Sequence, residues 1–264
     1  MSTLNWSVLN DGQAYDFNPL SDVLNFNDPS ISAFWVWLDS DGTTISFEYG
    51  GKTVTLNTAP YTLTTTNVTF ADGSKLIIGD NTTATASDDG PNTLTGGSGD
   101  DQLIGAGGAD SLSGGDGDDF LDGGFGNDTL NGGAGSDWVS YDDQSFSIAS
   151  GVTVNLATGQ ATGPLGTDQL ISIENVLGSW KDDTLIGNSA DNLFEALEGN
   201  DTVDGGGGFD TMIYWSVDTT GGMSVNLATG TIVTSDMGTD SISDRKSTRL
   251  NSSHSQQSRM PSSA

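Results

Sequence analysis

From Gly96 the chain runs in ninefold register, as "GGSGDDQLI", "GAGGADSLS", "GGDGDDFLD", "GGFGNDTLN" and "GGAGSDWVS". The sixth position is always aspartate: Asp101, Asp110, Asp119, Asp128 and Asp137. The eighth is always apolar: Leu103, Leu112, Leu121, Leu130 and Val139. The register extends back, more weakly, to Asn92 and Leu94. A nine-residue unit cannot bury an apolar face alone, so the units must stack. The glycines of the first six residues permit tight turns with positive φ. The last three residues form a short strand with one inward apolar side chain. Two units then make one coil with a turn on each side, and coils sit roughly 4.8 Å apart, as neighbouring strands do. The eighth-position side chains fill the interior, each contributing about 1.5–3 kcal/mol.

The same stacking aligns aspartates in columns. Two unit charges about 4.8 Å apart repel by roughly 3 kcal/mol at an effective dielectric near 20. Several such contacts rival the whole stability of a domain, about 5–15 kcal/mol. The stack is therefore expected to close around cations. Carboxylate and carbonyl oxygens suit a hard divalent ion of flexible geometry, Ca2+ rather than Mg2+. The formal net charge of −29 excludes nucleic acid and anionic membrane surfaces as partners. There is no cysteine, hence no disulfide framework. No apolar run approaches the roughly 18 residues of a membrane span, so no membrane insertion is expected in this chain. The start lacks the basic and apolar regions of a cleavable signal peptide.

The nonapeptide resembles the RTX (hemolysin-type) calcium-binding repeat, GGxGxDxUx. That resemblance implies an all-β fold, a right-handed parallel β-roll. It also implies that each ion takes the sixth-position Asp of two loops on one side. Carbonyls at positions two and four of the first loop, and one and three of the second, complete the set. One site would join Gly97, Gly99 and Asp101 to Gly114, Asp116 and Asp119. A second would join Ala106, Gly108 and Asp110 to Gly123, Phe125 and Asp128. A third would join Gly115, Gly117 and Asp119 to Gly132, Ala134 and Asp137. About three Ca2+ are thus expected in the first block, residues 87–140.

A second block, 178–214, reads "GSWKDDTLI", "GNSADNLFE", "ALEGNDTVD" and "GGGGFDTMI". Asp183, Asp201 and Asp210 are its candidate ligands. Asn192 replaces the fourth acid and most loops lose glycines, so some coils are expected to be structural only. A longer period is superposed: "GVTVNLATGQATG" with "GTDQLI" recurs as "GMSVNLATGTIV" with "GTDSIS". The first copy lies in a connecting β segment, 141–177. The second opens a further, truncated unit at 215–243.

Residues 1–86 read as a small β module capping the roll, since a solenoid end would otherwise expose its core and edge. "FWVWLDSDGTTISFEY" predicts a hairpin about Asp41-Gly42. Asp39 to Glu48 lacks the third acidic ligand and the flanking helices of an EF-hand, so it reads as a plain turn. Trp35 and Trp37, placed on one strand face, read as core or interface residues. The last 21 residues, 244–264, differ in kind: they hold four of the seven Lys and Arg and the single His. Asp244–His254 and Ser258–Ala264 back-translate onto a common sequencing-adapter strand. The tail is read as an artefact without structure, and the natural protein is expected to continue past Ser243.

Before the tail there is no His, Cys or Arg. That removes the commonest general base, the thiol nucleophile and the bidentate anion clamp. The leading expectation is a secreted, non-catalytic calcium-binding protein that folds on meeting Ca2+ outside the cell. The resemblance further implies type I secretion machinery as a partner. The alternative is the N-terminal part of a larger secreted RTX enzyme, toxin or surface adhesin.

Overall fold

The eighth-position residues organise the molecule. In the computed structural model, every residue is described except 1, 41–42, 80–89, 143–147, 215–222, 227–230, 235–237, 244–248 and 252–264. Leu94, Leu112 and Leu130 stand opposite one another in parallel strands Thr93–Ser98, Ser111–Asp116 and Thr129–Ala134. On the other side of the coil, Leu103, Leu121 and Val139 align in Gln102–Ile104, Phe120–Asp122 and Trp138–Ser140. Each pairing steps by 18 residues, one coil. Both rows belong to a single buried apolar cluster. This is an all-β, parallel β-roll.

The two rows continue as two sheets. Asn175–Leu177, Leu193–Glu195 and Thr211–Ile213 extend the second row, carrying Val176, Phe194 and Met212 into the same core. The connecting segment is part of the stack. Gly166–Ile171 lies on Thr129–Ala134, and Thr153–Asn155 lies on Thr184–Ile186. Gln160–Gly163 joins them antiparallel on both sides. The second copy of the long repeat builds the same meander from Met223–Asn226, Thr231–Thr234 and Gly238–Ser243.

The N-terminal module has its own core, centred on Phe26, Phe47, Leu24 and Leu56. Trp37–Ser40 pairs antiparallel with Ile45–Tyr49, as the hairpin reading predicts, although Asp41-Gly42 lies outside the described residues. Trp35 is not on that strand: Ala33–Trp35 is a single 3-10 turn. It nonetheless borders one apolar groove with Trp37, Phe120 and Trp138.

Two expected boundaries shift. Leu76–Ile78, placed by sequence inside the module, is also the first strand of the roll, pairing with Gln102–Ile104. Ile77 enters the roll core while Leu76 and Ile78 enter the module core. Period-two alternation lets one strand serve two cores. In the tail, Arg249–Asn251 is a strand paired with Thr211–Ile213 rather than unstructured chain. An exposed sheet edge pairs with any extended backbone. The rest of that tail lies outside the described residues.

Candidate metal centre

The sixth-position aspartates of the first block form two ladders built by the backbone. The Asp101 N–H donates to Asp119 Oδ1 at 2.8 Å, and the Asp119 N–H to Asp137 Oδ1 at 2.8 Å. On the other side the Asp110 N–H donates to Asp128 Oδ1 at 2.8 Å, and the Asn92 N–H to Asp110 Oδ1 at 2.7 Å. One carboxylate oxygen of each is thereby fixed. The second oxygens of Asp101, Asp119, Asp128 and Asp137 are buried and accept no hydrogen bond within the protein. A buried acceptor without a donor costs about 1–3 kcal/mol, more when charged. These four residues are at most 2% exposed, so bulk solvent does not reach them.

Backbone carbonyls border the second oxygens of Asp101, Asp110 and Asp137. A Cβ placed on Gly96 would collide with both Asp101 Oδ2 and the Gly114 carbonyl oxygen. One placed on Gly105 would meet Asp110 Oδ2 at 2.5 Å and the Gly123 carbonyl at 2.7 Å. The first-position glycine thus leaves a cradle bounded by a carboxylate of one coil and a carbonyl of the next. Position two is close-packed as well: side chains at Gly115, Gly124 and Gly133 would run into the carbonyls of Gly97, Ala106 and Gly115. Gly115 also has φ +123°, so it needs glycine on two counts.

Among the described residues, no three His, Cys, Asp or Glu side chains converge on one point. A cation in these loops must therefore draw on backbone carbonyls, which is the donor set the repeats offer. The expected third-position carbonyls are partly engaged. Gly99, Gly108 and Gly117 donate to the carbonyls of Asp116, Phe125 and Ala134 at 2.8, 2.8 and 2.9 Å. A carbonyl has a second lone pair, so each retains capacity for a ligand.

Burial makes these carboxyls reluctant to ionise. It raises Asp101 to about 6 and Asp119 to about 7, against an ordinary value of 3.8, with backbone hydrogen bonds opposing. Asp128 and Asp137 are raised to about 6 and about 7 for the same reason, and neighbouring carboxylates add to it. A divalent ion reverses that logic by favouring the charged form.

The second block is divided. Loops 196–204 and 205–213 keep left-handed backbone at positions two and four: Leu197 at φ 68°, Gly206 at 82°, Gly208 at 115° and Gly199 at 146°. Asp201 Oδ2 is buried without a hydrogen bond, as in the first block. Asp183 is different. Its Oδ2 accepts from the Ser179 N–H at 2.6 Å, and its Oδ1 from the Ser179 hydroxyl at 2.6 Å and the Val152 N–H at 2.8 Å. Asn192 likewise closes its own loop, accepting from the Asn188 N–H at 2.9 Å and donating Nδ2 to the Glu174 carbonyl at 2.7 Å. Asp210 Oδ1 accepts the Asn192 N–H at 3.0 Å. The Asp183/Asp201 pair therefore joins a loop that supplies its own donors to one whose Asp201 Oδ2 accepts none.

Sequence reasoning passed over several column members. The Asp128 N–H donates to Asp168 Oδ1 at 3.0 Å, and the buried Tyr141 hydroxyl donates to Asp168 Oδ2 at 2.9 Å. The long repeat reproduces this at Asp201, Asp240 and Tyr214, with Tyr214 donating to Asp240 Oδ2 at 2.6 Å. The signal was present as Asp137-x-x-x-Tyr141 and Asp210-x-x-x-Tyr214. Glu174 caps the other ladder by accepting the Asp137 N–H at 3.0 Å. A shallower outer ladder uses position five: Asp118 N–H to Asp100 Oδ1 at 3.0 Å and Ser136 N–H to Asp118 Oδ1 at 2.8 Å.

Columns of stacked carboxylates, four of them in the first block with an undonated buried oxygen, present a donor set suited to hard cations. The family model for the RTX calcium-binding nonapeptide repeat matches residues 87–121, 113–144 and 177–212. The chain carries RTX calcium-binding repeats in several copies, in both blocks recognised above. None of the curated proteins matches the chain.

Proposed function

We propose that the protein binds Ca2+ between successive loops of the first block, and that the roll folds when it does so. The observation that supports this most directly is the set of undonated buried oxygens on Asp101, Asp119, Asp128 and Asp137. Asp101, Asp119 and Asp137 would hold ions on one side of the roll, Asp110 and Asp128 on the other. The carbonyls of Gly97, Gly99, Gly114, Asp116, Ala106, Gly108, Gly123, Phe125, Gly115, Gly117, Gly132 and Ala134 would complete these three sites. Ca2+ supplies the charge that such a column lacks. At tenfold excess over its dissociation constant, each ion contributes about 1.4 kcal/mol.

The physiological consequence is conditional folding. Extracellular calcium modules have dissociation constants of roughly 10⁻⁴–10⁻³ M, far above free Ca2+ inside a cell. The repeats stay open there, which suits export through a narrow type I channel, and close outside. We read the protein as secreted and non-catalytic, because the carboxylate pairs of its repeats are better explained as cation ligands and no His, Cys or Arg precedes residue 245.

The test is circular dichroism of the whole chain with and without chelator. EDTA is expected to remove the roll's share of the β signal, millimolar Ca2+ to restore it, and Mg2+ to fail. An undiminished β signal in excess EDTA would sink the reading.

A further inference from the structure

Register, not sequence spacing, identifies a sixth-position residue that is not an acid. Leu76–Ile78 pairs with Gln102–Ile104 so that Ile77 stands opposite Leu103. Counting back two residues from each places Lys75 opposite Asp101, at the foot of the ladder Asp101–Asp119–Asp137. The backbone agrees: the Lys75 N–H donates to Asp101 Oδ1 at 2.6 Å, the same bond that Asp101 makes to Asp119 and Asp119 to Asp137. The side chain then does what no aspartate can. Lys75 Nζ donates to the carbonyl oxygen of Gly96, and a Cβ built on Gly97 would lie 3.1 Å from Nζ.

Gly96 is the first-position residue of its unit, the equivalent of Gly114 one coil on. At that next coil, the Gly114 carbonyl shares its cradle with Asp101 Oδ2, an oxygen against an oxygen. At the first coil the same carbonyl position meets an ammonium. We propose that Lys75 is a built-in cation that occupies the first interloop slot of this column, so that the coil joining module to roll closes without Ca2+.

The neighbourhood fits that role. Lys75 immediately precedes the strand that serves both cores. Ser74 ties the same corner to the module, its hydroxyl accepting the Ala33 N–H at 2.7 Å, and the Phe34 N–H donates to the Asp100 carbonyl at 3.3 Å. The module, which has an apolar core of its own, thus presents the roll with one coil already docked. Stacking of the next coil then adds to a template instead of nucleating in free chain, which is the costly step in a repeat array. The proposal rests on the calcium reading only for what the later loops take up.

Two measurements on the full chain test it. The first counts bound Ca2+ by native mass spectrometry. Lys75→Asp restores the all-oxygen slot and is expected to bind one ion more than the parent chain; an unchanged count, or a variant that fails to fold in millimolar Ca2+, overturns the proposal. The second is amide hydrogen exchange in EDTA. The Gln102 N–H donates to the Lys75 carbonyl at 2.8 Å and the Phe120 N–H to the Asp101 carbonyl at 2.9 Å, equivalent bonds one coil apart. Gln102 is expected to exchange at least tenfold more slowly than Phe120. Lys75→Met is expected to abolish that difference and Lys75→Arg to keep it. The Leu24 amide in the module serves as the control for intact folding. Equal exchange at Gln102 and Phe120 in the parent chain, or protection surviving in Lys75→Met, overturns the proposal. If the parent chain binds no Ca2+, the calcium reading falls while the amide measurement still decides Lys75.

Discussion

Two loops at the same repeat position solve one electrostatic problem in opposite ways. In loop 96–101 the second-position Gly97 adopts φ +124°, and Asp101 Oδ2 is left without a donor. In loop 178–183 the second-position residue is Ser179, whose N–H and hydroxyl both reach Asp183. Each buries its aspartate almost completely. The first keeps an undonated oxygen, which on the proposed reading a cation takes up; the second gives its carboxylate donors of its own, although burial still raises Asp183 to about 6. A glycine lost from the motif is therefore more than decay. It replaces a loop whose aspartate keeps an undonated oxygen with one whose aspartate is hydrogen-bonded from within.

Protons offer the most drastic way to test that comparison, because they can stand in for cations. In the calcium-free roll Asp101, Asp119, Asp128 and Asp137 lie at about 6 to 7 instead of 3.8. A folded-state value raised in this way gives stability that is present below the unfolded value and lost as pH rises through the folded one. The calcium-free fold is thus favoured near pH 4 and loses that support between roughly pH 4 and pH 7. Each tenfold change in proton affinity corresponds to about 1.4 kcal/mol, so four such groups act on the scale of a whole domain's stability. In EDTA, lowering pH from 8 to 4.5 is expected to restore the β signal of the first block. Ca2+ binding needs the ionised form, so its midpoint is expected to rise as pH falls from 8 to 5.5. A calcium-free chain equally unfolded at both pH values would break this half of the comparison.

Single carboxylates come next. Asp119 belongs to two expected loop pairs, with Asp101 below and Asp137 above. Asp119→Asn is expected to remove two ions from the count, about 3 kcal/mol at tenfold excess Ca2+. Without Ca2+ the sign inverts, since an amide carries no buried charge. Asn192 shows how such an amide is accommodated, with Oδ1 on a loop N–H and Nδ2 on a carbonyl. Asp183→Asn is expected to leave the calcium count unchanged and to cost about 1 kcal/mol from the weakened Ser179 bonds. Calcium titration monitored by tryptophan fluorescence, with urea melts in EDTA, checks both. Equal calcium losses in the two variants would erase the distinction between the loops.

What could be read from sequence followed from periodicity. Leu103, Leu112 and the sixth-position acids declare the stack because a strict nine-residue spacing has few other physical causes. Lys75 escaped because it lies 26 residues before Asp101, out of ninefold register, with residues 80–89 intervening. Its position is set by strand pairing, which no local pattern announces. Ser179 escaped because a serine where glycine is expected reads as loss, whereas its donors make a gain. Parallel pairing in the module, such as Thr3–Asn5 with Val23–Phe26, was equally hidden, since parallel neighbours share no turn.

The smallest expected effects come from second-position residues that keep the glycine conformation without being glycine. Ala106 sits at φ 71° in a loop of the first block and Leu197 at φ 68° in the second. Left-handed backbone costs an L-residue about 1–2 kcal/mol, while glycine costs roughly 0.5–1 kcal/mol in unfolded-chain freedom. Ala106→Gly is therefore expected to stabilise the calcium-loaded protein by about 0.5–1 kcal/mol. Leu197 gains the same relief but is only 4% exposed, so Leu197→Gly forfeits a buried side chain. Removing a buried leucine costs about 2–5 kcal/mol, and the net effect is expected to be destabilising by about 2 kcal/mol. Opposite shifts of the urea midpoint in Ca2+ check the pair. A common sign would mean that backbone strain outweighs core packing at the second position, and the open loop of the second block would then be held by something other than its leucine.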